Sequence, residues 1–309
     1  MKYLYSPNRS KVIVKDYLRL TFLILLLPLI GHSQDNSINN KKVSKTLYFT
    51  ANTGLEDSQI SKEILSQISK ASQEDEDAAF VLLGNLTSKE GYPADKDERK
   101  KVQEYLKTSL LDPLKNFKGN LIFNPGINEW NKEGQENIDD MESFLQDNSK
   151  AKFWPNDGCA SESESLNDDV ELVMVDSQWF LGDWDDYPYI NNKCEIKTRD
   201  QFLIEFKDDL KDNQGKTIIV AVHQPIMTST KQGFFGTIGG FSPQAYQNQV
   251  NDMFRGQLET IASEFKDVIF VSGKDRNLQF LEDDGIPQII SGTGTVNTQK
   301  ANPQEKKGY

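Results

Sequence analysis

Apolar residues recur along this chain in two periods, one of strands and one of helices, and the two alternate. Residues 46–51 form a short apolar run of the strand kind, after which Ile60, Ile64, Leu65 and Ile68 trace one face of a helix. Residues 79–84 are continuously apolar, as a strand covered on both faces must be. Val102, Tyr105, Leu106 and Leu110 mark a second helix, with Pro113 as its predicted end. Residues 121–124 are a third strand that runs into Pro125-Gly126. The Ser/Glu/Asp-rich segment 157–169 reads as a loop; a buried strand over 170–175 and an aromatic-rich stretch over 179–189 follow it. A helix over 201–210, a strand over 217–222, a Gly-rich loop over 233–240 and a helix over 250–265 come next. Strands over 268–272, 278–281 and 288–290 close the pattern. Strands alternating with amphipathic helices predict one α/β domain over 46–296, between a polar linker, 34–45, and a polar tail, 297–309.

The N-terminus stands apart from this pattern. Lys2, Arg9, Lys11, Lys15 and Arg19 precede an apolar run over 22–30, and small residues, Gly31 and Ser33, follow it. Residues 1–33 thus read as a secretory signal peptide, with an apolar core shorter than a bilayer span; a membrane-tethering helix is the competing reading. No cysteine follows the leader to accept a lipid. Its removal takes away five basic groups and one acid, which moves the net charge from −12 to about −16. So acidic a surface repels the phosphate backbone, and nucleic acid is not an expected partner. Cys159 and Cys194 remain; in an oxidising compartment they are candidates for a disulfide, the alternative being two buried thiols.

Five predicted strand ends share a form: an apolar run stops at glycine, or at His-x-Pro, and polar residues follow. They are Ala51-Asn52-Thr53-Gly54, Gly84-Asn85 with Gly91 beyond it, Gly126-Ile127-Asn128-Glu129, His223-Gln224-Pro225 and Gly273-Lys274-Asp275-Arg276. Loops at strand C-termini are where α/β folds place their sites. The ordered set resembles the calcineurin-like metallophosphoesterases, most nearly the exported, purple-acid-phosphatase-like bacterial branch, whose strand ends read roughly GDxG, GDxxYxxG, GNH(D/E), HxP and GHxH. The 175–179 segment, the two cysteines and the run from Gly285 to Gly292 are similar to that branch as well. The resemblance implies a four-layer α/β/β/α sandwich. It also implies a periplasmic or cell-surface place, with association at the outer membrane for some relatives, and in active members two metal ions that activate water against phosphorus.

Set against those motifs, the chain departs at nearly every ligand. Asn52 stands for the first Asp, Asn85 for the metal-bridging Asp, Ser88 for the Tyr and Ile127 for the Asn. Asn128 stands for the His that assists the leaving group, while Lys274 and Arg276 stand for the last two histidines. Of seven ligand positions, His223 alone is kept, and it is the only histidine after the leader, His32 lying within it. A dinuclear centre needs anionic oxygens and neutral imidazoles to offset the cations, with one carboxylate bridging. Amides carry no charge, isoleucine donates nothing, and two fixed cations repel a metal. No cofactor is therefore expected. The chain reads as a catalytically degenerate member, a binding or scaffold domain for an unidentified protein or small anionic ligand.

Two alternatives stay open. One is a divergent but active phosphoesterase with a metal on Asn52, Asn85 and His223; the other is an anion-binding module in which Lys274 and Arg276 hold a phosphate. A plainer reading turns those two cations outward or pairs them with Glu129 or Asp275, and keeps His223 for the hydrogen bonds of its turn. Other chemistry is weaker. There is no G-x-S-x-G elbow, Ser291-Gly292-Thr293-Gly294-Thr295 lacks the Lys of a P-loop, and Asn167-Asp168-Asp169 and Asp185-Asp186 lack the spacing of a calcium loop.

Overall fold

Among the described residues, the apolar runs that the sequence assigns to buried strands form them, with side chains that alternate between two packing partners. A computed structural model of the chain describes residues 43–54, 58–75, 77–130, 135–182, 192–229 and 243–294. The predicted leader, linker residues 34–42, the tail, residues 183–189 of the aromatic-rich stretch with Asp185-Asp186, and the Gly-rich loop lie outside the described residues.

Strands β1 (Leu47–Thr50), β2 (Ala79–Leu83), β3 (Asn120–Asn124) and β4 (Lys152–Phe153) form one sheet in that order, all parallel. A second sheet has the order β5 (Ser161–Asn167), β6 (Val170–Val175), β7 (Thr217–Val222), β8 (Val268–Ser272), β10 (Ile286–Ser291), β9 (Leu278–Asp283). Its centre is parallel and both its edges are antiparallel. Val81, Leu83 and Ile122 of the first sheet share one apolar cluster with Leu172, Met174, Ile219, Ala221 and Val271 of the second. The intervening residues join the larger core with the helices: Phe80, Leu82 and Phe123 with Leu65 and Leu106, and Val220 and Phe270 with Phe202, Phe206 and Phe254. A strand covered on both sides has no face left for polar residues, which is why β2 reads AFVLL and every residue of it is buried.

The helices are α1 (Ser58–Ala71), α2 (Lys96–Leu106), α3 (Gln135–Asn148), α4 (Ser177–Leu181), α5 (Arg199–Asp212) and α6 (Pro243–Ala262). Two sequence expectations need correction. Pro113 does not end the second helix at its own position. The helical path continues from α2 through a π turn at Lys107–Leu111 into Asp112–Leu114, with the Asp112 N–H bonded back to the Lys107 carbonyl. The wider turn absorbs the proline, whose missing N–H and ring break an ordinary α-helical ladder. Residues 157–169 are not one loop, since β5 lies within them as an edge strand paired with β6. Its Ser-Glu alternation hides it from a hydrophobicity reading because a sheet edge need bury little. Ser163 Oγ donates to Asp209, Ser165 Oγ donates to Glu171, and Glu164 pairs with Lys152. Helix α3 likewise occupies a stretch to which the sequence pattern assigns no element, although Ile138, Met141 and Leu145 are its buried stripe.

Cys159, just before β5, and Cys194, just before α5, form a disulfide with their Cα atoms 5.2 Å apart, so the alternative of two free thiols falls away. Among the described residues no helix is long and apolar enough to cross a membrane. The disulfide closes a separation of 35 residues. Cys159→Ser with Cys194→Ser is expected to lower the free energy of unfolding by about 3–4 kcal/mol, read as a shift in urea midpoint against the oxidised parent.

Candidate functional site

The C-terminal ends of β1, β2, β3, β7 and β8 converge, and the residues that follow them make a buried polar cluster between the two sheets. Asn52 and Asn85 both adopt left-handed backbone, with φ of 62° and 56°. Asparagine tolerates that region better than most residues. The turns so formed point both amides inward. Asn52 Nδ2 donates to the carbonyls of Gly273 (2.7 Å) and Gly292 (3.0 Å). Asn85 Nδ2 donates to Asn52 Oδ1 at 2.7 Å, and the backbone N–H of Asn128 donates to Asn85 Oδ1 at 3.1 Å. Asn128 Nδ2 in turn donates to the Thr87 carbonyl at 2.8 Å. The chain of amides ties β1, β2 and the loop after β3 to the loops after β8 and β10.

Glu129 lies beneath this chain, fully buried. Its Oε2 accepts the N–H groups of Asn85 (2.9 Å) and Gly126 (2.8 Å), and its Oε1 accepts the N–H (2.9 Å) and hydroxyl (2.8 Å) of Thr87. Burial pushes its pKa up, while those donors pull it down. Four donors match the acceptor capacity of a carboxylate, whereas a protonated oxygen would face an N–H; the geometry is that of the charged form. The turns approach so closely that a Cβ on Gly84, whose φ is +85°, would stand 2.6 Å from His223 Nδ1 and 2.7 Å from the Gly126 Cα. Only glycine fits there.

His223 closes the cluster from the other sheet. Its Nδ1 lies 2.7 Å from the Leu83 carbonyl, which can only accept, so Nδ1 carries the proton. Nε2 is then a lone-pair nitrogen, buried and with no hydrogen-bond partner among the described residues. Burial drives the His223 pKa down to about 4; the Leu83 bond opposes the shift and Lys274 adds to it. Lys274 bonds through its backbone N–H to the His223 carbonyl at 2.9 Å, and its ammonium donates to Gln224 Oε1 at 2.6 Å. Burial lowers its pKa as well.

The sequence candidates thus divide. Asn52, Asn85, Asn128, His223 and Lys274 are brought together. Ser88 is exposed and its hydroxyl accepts the local Glu90 N–H, and the Ile127 side chain is 48% exposed, so neither faces the cluster. Arg276 is half-buried, on the outward alternate positions that continue into β9. Of the partners the plainer reading offers Lys274, Glu129 has its oxygens taken by main-chain and hydroxyl donors and Asp275 acts on it electrostatically, while the ammonium itself donates to neutral Gln224. The Asp275 carboxylate accepts from Thr228 Oγ1. Four positions are missed as site residues. Thr87, Glu129 and Gln224 lie inside the quoted motifs. Asp176, fully buried, accepts Trp130 Nε1–H at 2.7 Å and caps α4. Its placement after an apolar run and before Ser177 was the available signal.

The donor set does not fit a pair of metal ions. The side-chain oxygens of Asn52 and Asn85 already accept N–H groups, and Lys274 acts electrostatically against positive charge on His223. Among the described residues no three His, Cys, Asp or Glu side chains are grouped to hold a metal. No family model matches the chain, and no curated protein matches it. A solved structure described as GAP50, the anchor in the inner membrane complex of Plasmodium, is similar to it, with a TM-score of 0.51 and 17% identity over 83% of this chain and 75% of that one. At that identity the likeness shows a shared α/β fold and nothing further.

A buried histidine held neutral has a consequence for stability. Its folded pKa of about 4 lies below its ordinary value of 6.5, so the folded protein binds fewer protons than the unfolded chain between those values. The His223 contribution is therefore whole above pH 6.5 and lost as pH falls toward 4. His223→Asn keeps a donor near the Leu83 carbonyl and removes the titration. Urea unfolding at several pH values should show the gap between parent and variant narrowing as pH drops from 6.5 to 4. Glu129→Gln is expected to cost about 3 kcal/mol at pH 7 in the same measurement, since an amide NH2 would meet donors.

Proposed function

We propose that this chain is an exported member of the calcineurin-like metallophosphoesterases, built as their four-layer α/β/β/α sandwich, in which metal chemistry has been replaced by a hydrogen-bonded polar plug, and that it serves as a binding or scaffold domain. The observation that carries the reading is the amide chain Asn52–Asn85–Asn128, in which the Asn52 and Asn85 oxygens are spent on N–H groups of the protein itself and the Asn128 amide donates to the Thr87 carbonyl. In the family these positions offer charged or neutral lone pairs to cations. Here they join loops of both sheets, and Glu129 supplies the negative charge to main-chain donors instead of to a metal. A rigid scaffold with its site closed by its own groups is suited to presenting surfaces, not to turning over a substrate. The similar fold of a protein described as an anchor is in keeping with such a role.

The anion-holding alternative has less support at Lys274, because its ammonium is directed to Gln224 and burial already disfavours its charge. The active-enzyme alternative would rest on His223 Nε2, an imidazole lone pair that no described residue fills. A single neutral imidazole does not make a tetrahedral zinc site.

Metal analysis of the purified protein, paired with hydrolysis of a chromogenic phosphomonoester, tests the proposal. The expected result is substoichiometric metal and no turnover above buffer. Stoichiometric metal together with turnover that His223→Ala abolishes would sink it. Phosphate at millimolar concentration is expected to leave the melting temperature unchanged; a rise that Lys274→Ala removes would favour the anion module.

A further inference from the structure

The six-stranded sheet ends in a strand whose outer edge carries an apolar row. Among the described residues β9 pairs with β10 on one side and with no strand on the other. Burial alternates without interruption from Asp275 to Glu282, with the even-numbered residues outward. Leu278 is 67% exposed and Phe280 41%, and Ile289, opposite Phe280 on β10, is 37% exposed. These three lie on one face. It is the face turned toward the first sheet, since Ser291, opposite Leu278, donates its Oγ to the Phe49 carbonyl of β1. The larger sheet therefore overhangs β1 and leaves an apolar ledge at its rim. Soluble proteins blunt such edges with proline, inward lysine, bulges or short strands. β9 has six residues, LQFLED, with no proline or lysine and a regular register against β10.

We propose that the occupant of this edge is a second copy of the same chain, paired β9 to β9 about a twofold axis through Gln279. Two antiparallel copies of one strand must keep each face of the sheet continuous, so outward residues meet outward residues. With the axis at Gln279, Leu278 of one copy lies opposite Phe280 of the other, twice, and Ile289 extends the row on both flanks. The next outward pair is Arg276 opposite Glu282, also twice. Apolar side chains meet at the centre and opposite charges flank them, an arrangement in which cross-strand pairs stabilise. Neighbouring registers lose this. An axis through Phe280 sets Leu278 against Glu282, and one through Leu281 sets Phe280 against Glu282. Of the three registers compared, the one about Gln279 sets apolar side chains against each other at the centre and opposite charges on the flanks. The contact is a strand-sized one, below the area of a standard stable interface, and the whole chain is acidic, so a micromolar dimer is expected, not a permanent one.

Sedimentation equilibrium of the purified full chain at rising concentration tests the proposal. The parent should pass from monomer to dimer, and Phe280→Lys should stay monomeric. Arg276→Glu alone and Glu282→Arg alone should each raise the dimer dissociation constant by about tenfold, because each loses two symmetric pairs and gains two repulsions. Arg276→Glu combined with Glu282→Arg restores opposite charges and should recover most of the parent affinity. Near-ultraviolet circular dichroism of each variant separates misfolding from loss of pairing. A parent monomeric at every concentration overturns the proposal. So does a dimer that Phe280→Lys and the charge reversals leave unchanged, since its contact would lie elsewhere.

Discussion

The Glu129 carboxylate is the constraint on which the arrangement of the site depends. It takes the main-chain N–H groups of Asn85, Thr87 and Gly126, together with the Thr87 hydroxyl, where the strands β2 and β3 end. Those N–H groups lie beyond the reach of any strand partner and are buried away from water, so each needs an acceptor supplied by the loop itself. One buried anion satisfies them together. Its position fixes the two turns, and the turns fix where Asn85 and Asn128 point. The left-handed backbone at Asn52 and Asn85 and the absence of a side chain at Gly84 are conditions of the same close approach.

On that base the asparagines of the cluster are held by the protein's own groups. Asn52, Asn85 and Asn128 each donate through Nδ2 to a carbonyl or a neighbouring amide, and the Asn128 N–H supplies Asn85 Oδ1. His223, kept neutral by burial, joins β7 to the end of β2 through the Leu83 carbonyl. A metal site with the same topology would place mutually repelling carboxylates here and rely on cations to hold them together. Replacing carboxylates by amides removes that repulsion, and the loops of two sheets can then be joined by hydrogen bonds alone. The bonds that stabilise the rim are the ones that close the site.

Legibility differed by residue for physical reasons. Strands buried on both faces, such as residues 79–83 and 217–222, announce themselves because every side chain must be apolar. The edge strand at Ser161–Asn167 gives no such signal, since its side chains bond to polar neighbours on α5, β4 and β6. Asn52, Asn85, Asn128 and His223 were visible as a set because each follows a strand at a glycine-marked turn or a His-x-Pro turn. The role of Glu129 was not visible. Its partners are main-chain N–H groups 42 to 44 residues earlier and three residues earlier, and a backbone donor has no letter in the sequence. Nor was the partner of Lys274, for which the acids in the same motifs were the natural guess.

The sequence by itself determined the α/β alternation and the glycine- or His-x-Pro-marked strand ends at which the asparagines, the histidine and the lysine of the cluster stand. These are properties of composition and period, and they survive without coordinates. The tertiary structure decided which of those groups meet. It spent the amide oxygens on N–H groups, turned Ser88 and Ile127 outward, gave Lys274 to Gln224, and left Leu278, Phe280 and Ile289 on an uncovered rim among the described residues. Hydrogen bonding is directional and depends on distances of a few tenths of an ångström, which the order of residues along the chain does not encode.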